Sequence, residues 1–323
     1  MTSPDALLPS LAEIESAAAV VYQSFHATAQ YRWATLCNRL GMDMWVKHEN
    51  HTPVGAFKIR GGLTYFDQLA KTGRMPAEVI SATRGNHGQS VGWAARQHGV
   101  KATIVVPRGN SVEKNNAMRS LGVHLVEHGD DFQASREFAM QLARDRSAHM
   151  VPSFHPHLLR GVSTLYWELL RAVPDLDVLL VPIGQGSGAA SAIAARNALG
   201  LGTRIIGVIS AHATTYADSM AAGHVVEAPV STVLADGMAC RVADDIALRV
   251  LSSGLEEVVK VTDEEVAQAM RWLYEDTHNV AEGAGAAALA AAHQVQGRLA
   301  GRKIGIALTG GNVDAGVLSK ILA

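Results

Sequence analysis

The sequence has almost no cysteine, few aromatics and no long apolar run. Two cysteines occur in 323 residues, Cys37 and Cys240, with no CxxC pair and no zinc-like spacing. A disulfide framework is thereby excluded, and a reducing compartment is the simpler expectation. Clustered positive charge is missing too. Net charge is −2, from 28 Lys plus Arg against 30 Asp plus Glu, and no basic stripe occurs. Neutralising phosphates would need one, so no nucleic-acid partner is expected. The longest apolar runs, such as residues 17–22 and 286–292, fall far short of a membrane span. No membrane partner is expected. Met1-Thr2-Ser3-Pro4-Asp5 lacks a basic region and an apolar core, so a signal peptide is not expected and the cytoplasm is the expected location.

What is present is a compact composition, 48% apolar and 18% charged, with abundant glycine. Ser10-Leu11-Ala12-Glu13 forms a capping box that opens a helix. A helix over 33–40 closes at Gly41, a strand covers 44–47, and a helix spans 57–70. Strands at 79–81, 102–106 and 123–126 then alternate with helices at 89–98, 112–121 and 132–146. A second series has helices at 158–170, 189–199 and 284–292, a helix capped by Thr262, and strands at 177–183, 204–209, 258–261 and 303–308. Alternation of this kind predicts an α/β chain with parallel sheets.

Three glycine-rich turns fall at the carboxyl ends of these strands, where open α/β sheets bind ligands. They are Thr83-Arg84-Gly85-Asn86-His87-Gly88, Gly184-Gln185-Gly186-Ser187-Gly188 and Thr309-Gly310-Gly311-Asn312. One shared location suggests one site. The second turn leads from an apolar strand into a helix, so its free amides suit a phosphate. A dinucleotide fold, as in a nicotinamide-dependent dehydrogenase, would fit Gly184-x-Gly186-x-x-Ala189. It would also want an acidic residue after the next strand, which instead runs into Ser210-Ala211-His212. The first turn could hold a carboxylate or serve only as a polar cap; the third could be mere turn chemistry. Lys58 alone reads as a surface lysine. Following Phe57 at a helix start, in a chain with a phosphate loop, it becomes a candidate imine-forming amine.

Two histidine patterns are set aside. His124-Leu125-Val126-Glu127-His128 fits a zinc pattern that needs both histidines on one helix face, but the segment reads as a strand, where they lie about 13 Å apart. His155 and His157 flank Pro156 and read as a loop. No metal is expected.

Taken in order, Ala56-Phe57-Lys58-Ile59-Arg60-Gly61, Gly85-Asn86-His87-Gly88-Gln89, the glycine loop, Ala235-Asp236-Gly237, Glu282-Gly283-Ala284-Gly285 and Gly310-Gly311-Asn312 resemble fold-type II pyridoxal-phosphate enzymes. They look most like the threonine/serine dehydratase and serine racemase branch. That resemblance implies two open parallel-sheet domains of the tryptophan synthase β-like architecture: a large cofactor domain of residues 1–70 and 152–323, and a small domain of 71–151 carrying the substrate loop. It implies that Lys58 carries pyridoxal 5′-phosphate and is the base at Cα. Phe57 would pack on the cofactor ring, Asn86 would bond its 3′-oxygen, and Gly184, Gln185, Gly186, Ser187 and Gly188 would hold its phosphate. Thr309 would face the pyridine nitrogen, with Gly237 and Glu282 lining the pocket. Ser81, Thr83, Arg84, Gly85, Asn86 and His87 would hold the substrate carboxylate. The implied reaction is loss of water from a β-hydroxy amino acid to give a 2-oxo acid and ammonia, by a homodimer. A 3-hydroxyaspartate dehydratase or a β-replacement enzyme are the alternatives.

The departures from that branch are specific. Arg84 stands where serine racemases carry the serine that protonates the opposite ring face, which favours elimination over racemisation. The acidic residues of that branch's divalent-cation site are missing after Ser210-Ala211-His212-Ala213. Arg84 together with Ala235-Asp236-Gly237-Met238-Ala239-Cys240-Arg241 looks like the divergent dehydratases of substituted serines, phenylserine and hydroxyectoine-derived substrates among them. With 323 residues, the regulatory domain of the biosynthetic threonine enzymes is not expected.

Overall fold

The computed structural model describes residues 7–323; the leader reading of Met1-Thr2-Ser3-Pro4-Asp5 lies outside them. Ten strands form two sheets among the described residues. The strands are β1 (Gln30–Arg32), β2 (Asp43–His48), β3 (Glu78–Ala82), β4 (Lys101–Val106), β5 (His124–Glu127), β6 (His149–Met150), β7 (Val178–Pro182), β8 (Arg204–Ser210), β9 (Glu257–Val261) and β10 (Lys303–Leu308). The larger sheet runs β1-β2-β10-β7-β8-β9 and the smaller β5-β4-β3-β6. Every pairing is parallel except β1 with β2. The short β1 and β6 carry no apolar period and escape sequence reading, as do the helices Thr215–Ala222, Asp245–Gly254 and Ala315–Leu322.

Strands buried on both faces explain the unbroken apolar runs. Val178, Leu180, Ile304, Ile306 and Leu308 face one core, with the helix Gly283–Gln294 packed against them. That helix is almost all alanine and glycine, and every residue from Gly283 to Ala292 is buried, so small side chains let it lie close to the sheet. Leu179, Val181 and Ile205 face a second core under the helices Pro156–Ala172 and Ser187–Ala198. The smaller sheet has its own clusters, one around Ile104 and Met118 and one around Ile80 and Val105.

The capping boxes at Ser10 and Thr262 are formed, and Gly41 closes its helix at φ 62°. Several helices begin earlier than the apolar period indicates. Asn86, His87 and Gly88 are the first turn of Asn86–Gln97, and Ser187 and Gly188 that of Ser187–Ala198. Polar and glycine residues carry no hydrophobic period, yet their amides complete the helix start. Pro156 likewise opens Pro156–Ala172, with His155 as N-cap accepting from the His157 amide, so that segment is a helix start rather than a loop. His124–Glu127 is a strand, as its alternation indicates, and His128 stacks on Phe138.

Candidate active site

In the larger sheet β2, β10 and β7 are adjacent, and their carboxyl ends lead to Lys58, Thr309 and Gly184. One set of backbone bonds locks these together. The Phe57 amide donates to the Thr309 carbonyl (3.0 Å), Gly311 to Gly55 (2.9 Å) and Glu282 to Gly310 (3.0 Å). A Cβ on Gly310 would stand 2.4 Å from Glu282 Oε1, so a side chain there would displace that carboxylate. From the smaller sheet, β3 delivers Thr83 to His87 to the same place. One pocket is lined by Phe57, Lys58, Thr83, Arg84, Gly85, Asn86, His87, the five residues of the glycine loop, Gly237, Glu282 and Thr309. Sequence segments more than 250 positions apart thus meet at one site.

Lys58 opens the helix Lys58–Lys71, and its Nζ donates to Ser187 Oγ at 2.7 Å. Burial pulls its amine down to about 8, so near-neutral solution holds an appreciable nucleophilic fraction. Phe57 lies with its ring centroid 5.0 Å from that nitrogen. Gly186 caps the Ser187–Ala198 helix at φ 88°, a left-handed conformation that favours glycine. The first-turn amides of that helix have no partner inside it and face the pocket.

Asn86 donates to Glu282 Oε1 (2.5 Å) and accepts from Asn312 Nδ2 (2.8 Å), which fixes its amide orientation. His87 is buried; burial, then the nearby Lys58 charge, pull its imidazole down to about 3, so it is neutral. Its Nε2 has no partner. The Thr83 hydroxyl accepts from the Gly85 amide at 2.9 Å. Ser81 departs from expectation. Its hydroxyl donates to the Val151 carbonyl at 2.8 Å and it lies outside the pocket lining, because alternation along β3 turns it away. Thr309 Oγ1 makes only a 3.5 Å contact to the Ala284 carbonyl, leaving it free for another partner.

Several lining residues escape sequence reading as site residues, Lys114, Tyr166 and Cys240 among them. Lys114 bridges Asp236 (2.7 Å) and Glu282 (3.1 Å). Burial alone would lower its ammonium, but those carboxylates hold it above the usual value. Glu282 is itself driven upward by burial, against the pull of Lys114. Lys114 reaches across Gly85, where a Cβ would meet its Cδ at 2.6 Å. Tyr166, fully buried in Pro156–Ala172, presents a hydroxyl with no partner. Cys240 accepts from Gln185 Nε2 at 3.1 Å, and burial raises its thiol to about 11.

These features fit a phosphorylated pyridine aldehyde. Lys58 supplies the amine, and the Ser187–Ala198 helix start supplies the anion cradle. A Cβ on Gly188 would meet nothing nearer than 3.7 Å, where Tyr166 Oη and the Pro182 carbonyl stand, with the Phe57 ring at 3.8 Å. The orphaned tyrosine hydroxyl therefore stands beside that helix start. β8 ends at Ser210 with no acidic residue for a ribose, so the dinucleotide reading finds no support. Residues 23–310 match the family described as pyridoxal-phosphate dependent enzyme.

The chain belongs to that family. Its cofactor is pyridoxal phosphate. The chain is 31% identical to an L-threonine ammonia-lyase of Thermotoga maritima over 97% of its own length and 78% of that protein. It is 28% identical to an L-threo-3-hydroxyaspartate ammonia-lyase of Saccharomyces cerevisiae, over 95% and 94%. It spans 58% of the length of the biosynthetic L-threonine dehydratases that it also matches. Maize serine racemase superposes with a TM-score of 0.89 at 27% identity, covering 97% of this chain and 96% of that one. No cluster of three or more His, Cys, Asp or Glu disposed for a metal ion occurs among the described residues. Nor is any helix among them long and apolar enough to cross a membrane.

Proposed function

We propose that this chain eliminates water from a β-hydroxy-α-amino acid, such as threonine, serine or a 3-substituted serine, releasing a 2-oxo acid and ammonia. The observation that carries this reading is Lys58, a depressed amine facing one pocket with two helix starts that suit two different anions. The relatives' ammonia-lyase activities support it. When bound, the cofactor accepts the electrons left by the departing Cα proton.

The chain's own residues supply the rest. Lys58 Nζ takes the proton from Cα. Amides at the Asn86–Gln97 helix start bind the substrate carboxylate, and those of Ser187–Ala198 bind the cofactor phosphate, with Tyr166 donating beside them. Asn86, fixed by Glu282 and Asn312, would donate to or accept from the ring oxygen. Thr309 would meet the ring nitrogen, where a hydroxyl would not enforce a full positive charge, and that would favour loss of the β-hydroxyl. Neutral His87 adds no competing acid.

The division into a large domain, 1–70 with 152–323, and a small one, 71–151, is supported by the two sheets and their separate clusters. Two free, buried cysteines suit the cytoplasm. A homodimer follows the resemblance alone.

The test is a panel of threonine, serine, phenylserine and 3-hydroxyaspartate with the cofactor-loaded enzyme, followed as 2-oxo acid and as ammonia without added thiol. Ammonia release that requires a thiol would point to β-replacement instead. Loss of the lysine-bound cofactor's visible absorbance in Lys58→Ala, with no 2-oxo acid from any substrate, is the expected control.

A further inference from the structure

We infer that Arg84 is a specificity-determining residue that receives a second carboxylate on the substrate side chain, so that the preferred substrates are 3-hydroxy dicarboxylic amino acids. The inference rests on the dehydratase reading above and deepens it.

Charge pairing in the pocket leads to this conclusion. Three cationic side chains line it: Lys58, Arg84 and Lys114. Lys114 already holds both lining carboxylates, Asp236 and Glu282. Lys58 is bonded to Ser187. Arg84 has no ion pair or hydrogen bond with any described residue, and its Nε is buried without a partner. It lies close enough to Cys240 to act on that thiol electrostatically, as Lys58 does. Arg84 is partly buried, its Nε is left without a partner, and its flat set of donors matches a carboxylate.

The other two anions of the reaction have cradles of their own. The cofactor phosphate has the Ser187–Ala198 helix start with Tyr166, and the α-carboxylate has the Asn86–Gln97 helix start. Arg84 directly precedes that second cradle and projects into the same pocket, which places it to meet what extends beyond the amino-acid end. A threonine methyl there would leave the guanidinium unpaired, whereas a β-carboxylate would pair with it. Sites built around a buried polar group discriminate strongly against substrates that leave it unmatched. The chemistry stays balanced. 3-Hydroxyaspartate loses one water from Cα–H and Cβ–OH and takes up one water when nitrogen leaves, giving oxaloacetate and ammonia with no oxidant.

The experiment compares kcat/KM of the cofactor-loaded wild type, Arg84→Met and Arg84→Lys on L-threonine and on each 3-hydroxyaspartate diastereomer. One diastereomer is expected to exceed threonine by about tenfold or more in the wild type. The ratio of the two values should fall by about a hundredfold in Arg84→Met and by less in Arg84→Lys, which keeps the charge and loses the fork. Cofactor affinity, titrated by absorbance, is expected to stay within about threefold, because the phosphate has its own cradle of helix amides. A wild type that prefers threonine overturns the inference and leaves the dehydratase reading standing. So does an equal loss on both substrates accompanied by weakened cofactor binding, which would assign Arg84 to the phosphate.

Calorimetry with non-reacting acids decides the matter apart from turnover. Succinate should bind the wild-type holoenzyme about tenfold tighter than butyrate, and Arg84→Met should erase the difference. Equal binding of the two acids by the wild type rejects the inference whatever the turnover assay gives. Absence of 2-oxo acid from every substrate, with the succinate preference intact, rejects the dehydratase reading and keeps the anion subsite.

Discussion

Asn86 and Glu282, 196 positions apart, share a hydrogen bond of 2.5 Å between the side-chain amide and carboxylate. Asn86 begins a helix that follows the smaller sheet, and Glu282 caps a helix packed on the larger one. Lys114 joins the same carboxylate at 3.1 Å. The Asn86 amide is therefore held in place by contacts from both sheets.

Replacing Glu282 by Gln tests this arrangement. The variant keeps the size of the side chain but removes the charge that Lys114 and Asn86 share. Truncating one member of a buried charged pair costs about 3–5 kcal/mol when nothing compensates; here Asp236 still holds Lys114, so a smaller loss of about 1–3 kcal/mol is expected. The measurement is kcat/KM alongside cofactor affinity. Wild-type values for both would show that Asn86 is held without the carboxylate.

The Lys58 amine sets a pH dependence. It must be unprotonated to attack the cofactor aldehyde, and its folded value is about 8, below the usual value because burial disfavours the charge. The rate of cofactor uptake by apoenzyme should rise with pH and level off above about 8, instead of climbing to the ordinary lysine value of about 10.4. Stopped-flow absorbance from pH 6.5 to 10.5 reads this directly. An uptake rate still rising at the top of the range contradicts the depressed amine.

Tyr166→Phe removes one hydroxyl and little volume. Burial pushes that phenol upward, so it is a donor at every physiological pH. If it bonds the phosphate, its loss weakens cofactor binding by about tenfold to a hundredfold, the range for a hydrogen bond to a charged group. Equilibrium titration of apoenzyme is the assay. Because the hydroxyl has no protein partner, thermal stability of the apoenzyme should not fall, and a clear drop in Tm would mean the hydroxyl is engaged elsewhere.

A second buried network carries stability and no chemistry. Arg60, fully buried, bonds Glu49 (2.7 Å) and Glu168 (2.7 Å), and Glu168 also pairs with Lys47 (2.5 Å). Glu168→Gln leaves two cations with one carboxylate and should cost about 3–5 kcal/mol in urea unfolding. Burial works against the Glu168 charge, but Arg60 and Lys47 outweigh it and hold the carboxyl below its ordinary value. Its contribution is therefore complete above the unfolded carboxylate value of about 4.3 and is lost as pH falls through the lowered folded one. An unchanged acid limb in Glu168→Gln would contradict this.

Much of the site was legible because it is built from local signals. Glycine turns at strand ends identify themselves, and Gly184 to Gly188, Asn86 and Thr309 meet in the pocket expected of them. Ser81 came in with the turn that the resemblance assigns to the substrate carboxylate, whereas its place in β3 commits its hydroxyl to Val151. Lys114 and Tyr166 were hidden for the opposite reason. Each sits in an ordinary helix, and only tertiary packing, through the bare Gly85 and the open face of Gly188, turns it toward the pocket. The short β1 and β6 depend on their neighbours for existence, so no local pattern announces them.

The turn at Thr309 to Gly311 bonds at once to the Lys58 approach and to Glu282. Lys58, Thr309 and the residue orienting Asn86 therefore behave as one mechanical part. Exchange of active-site pieces between relatives must move Gly55 to Lys58, Glu282 and Thr309 to Gly311 as a single cassette, since a graft of any one of them inherits the alignment of the other two.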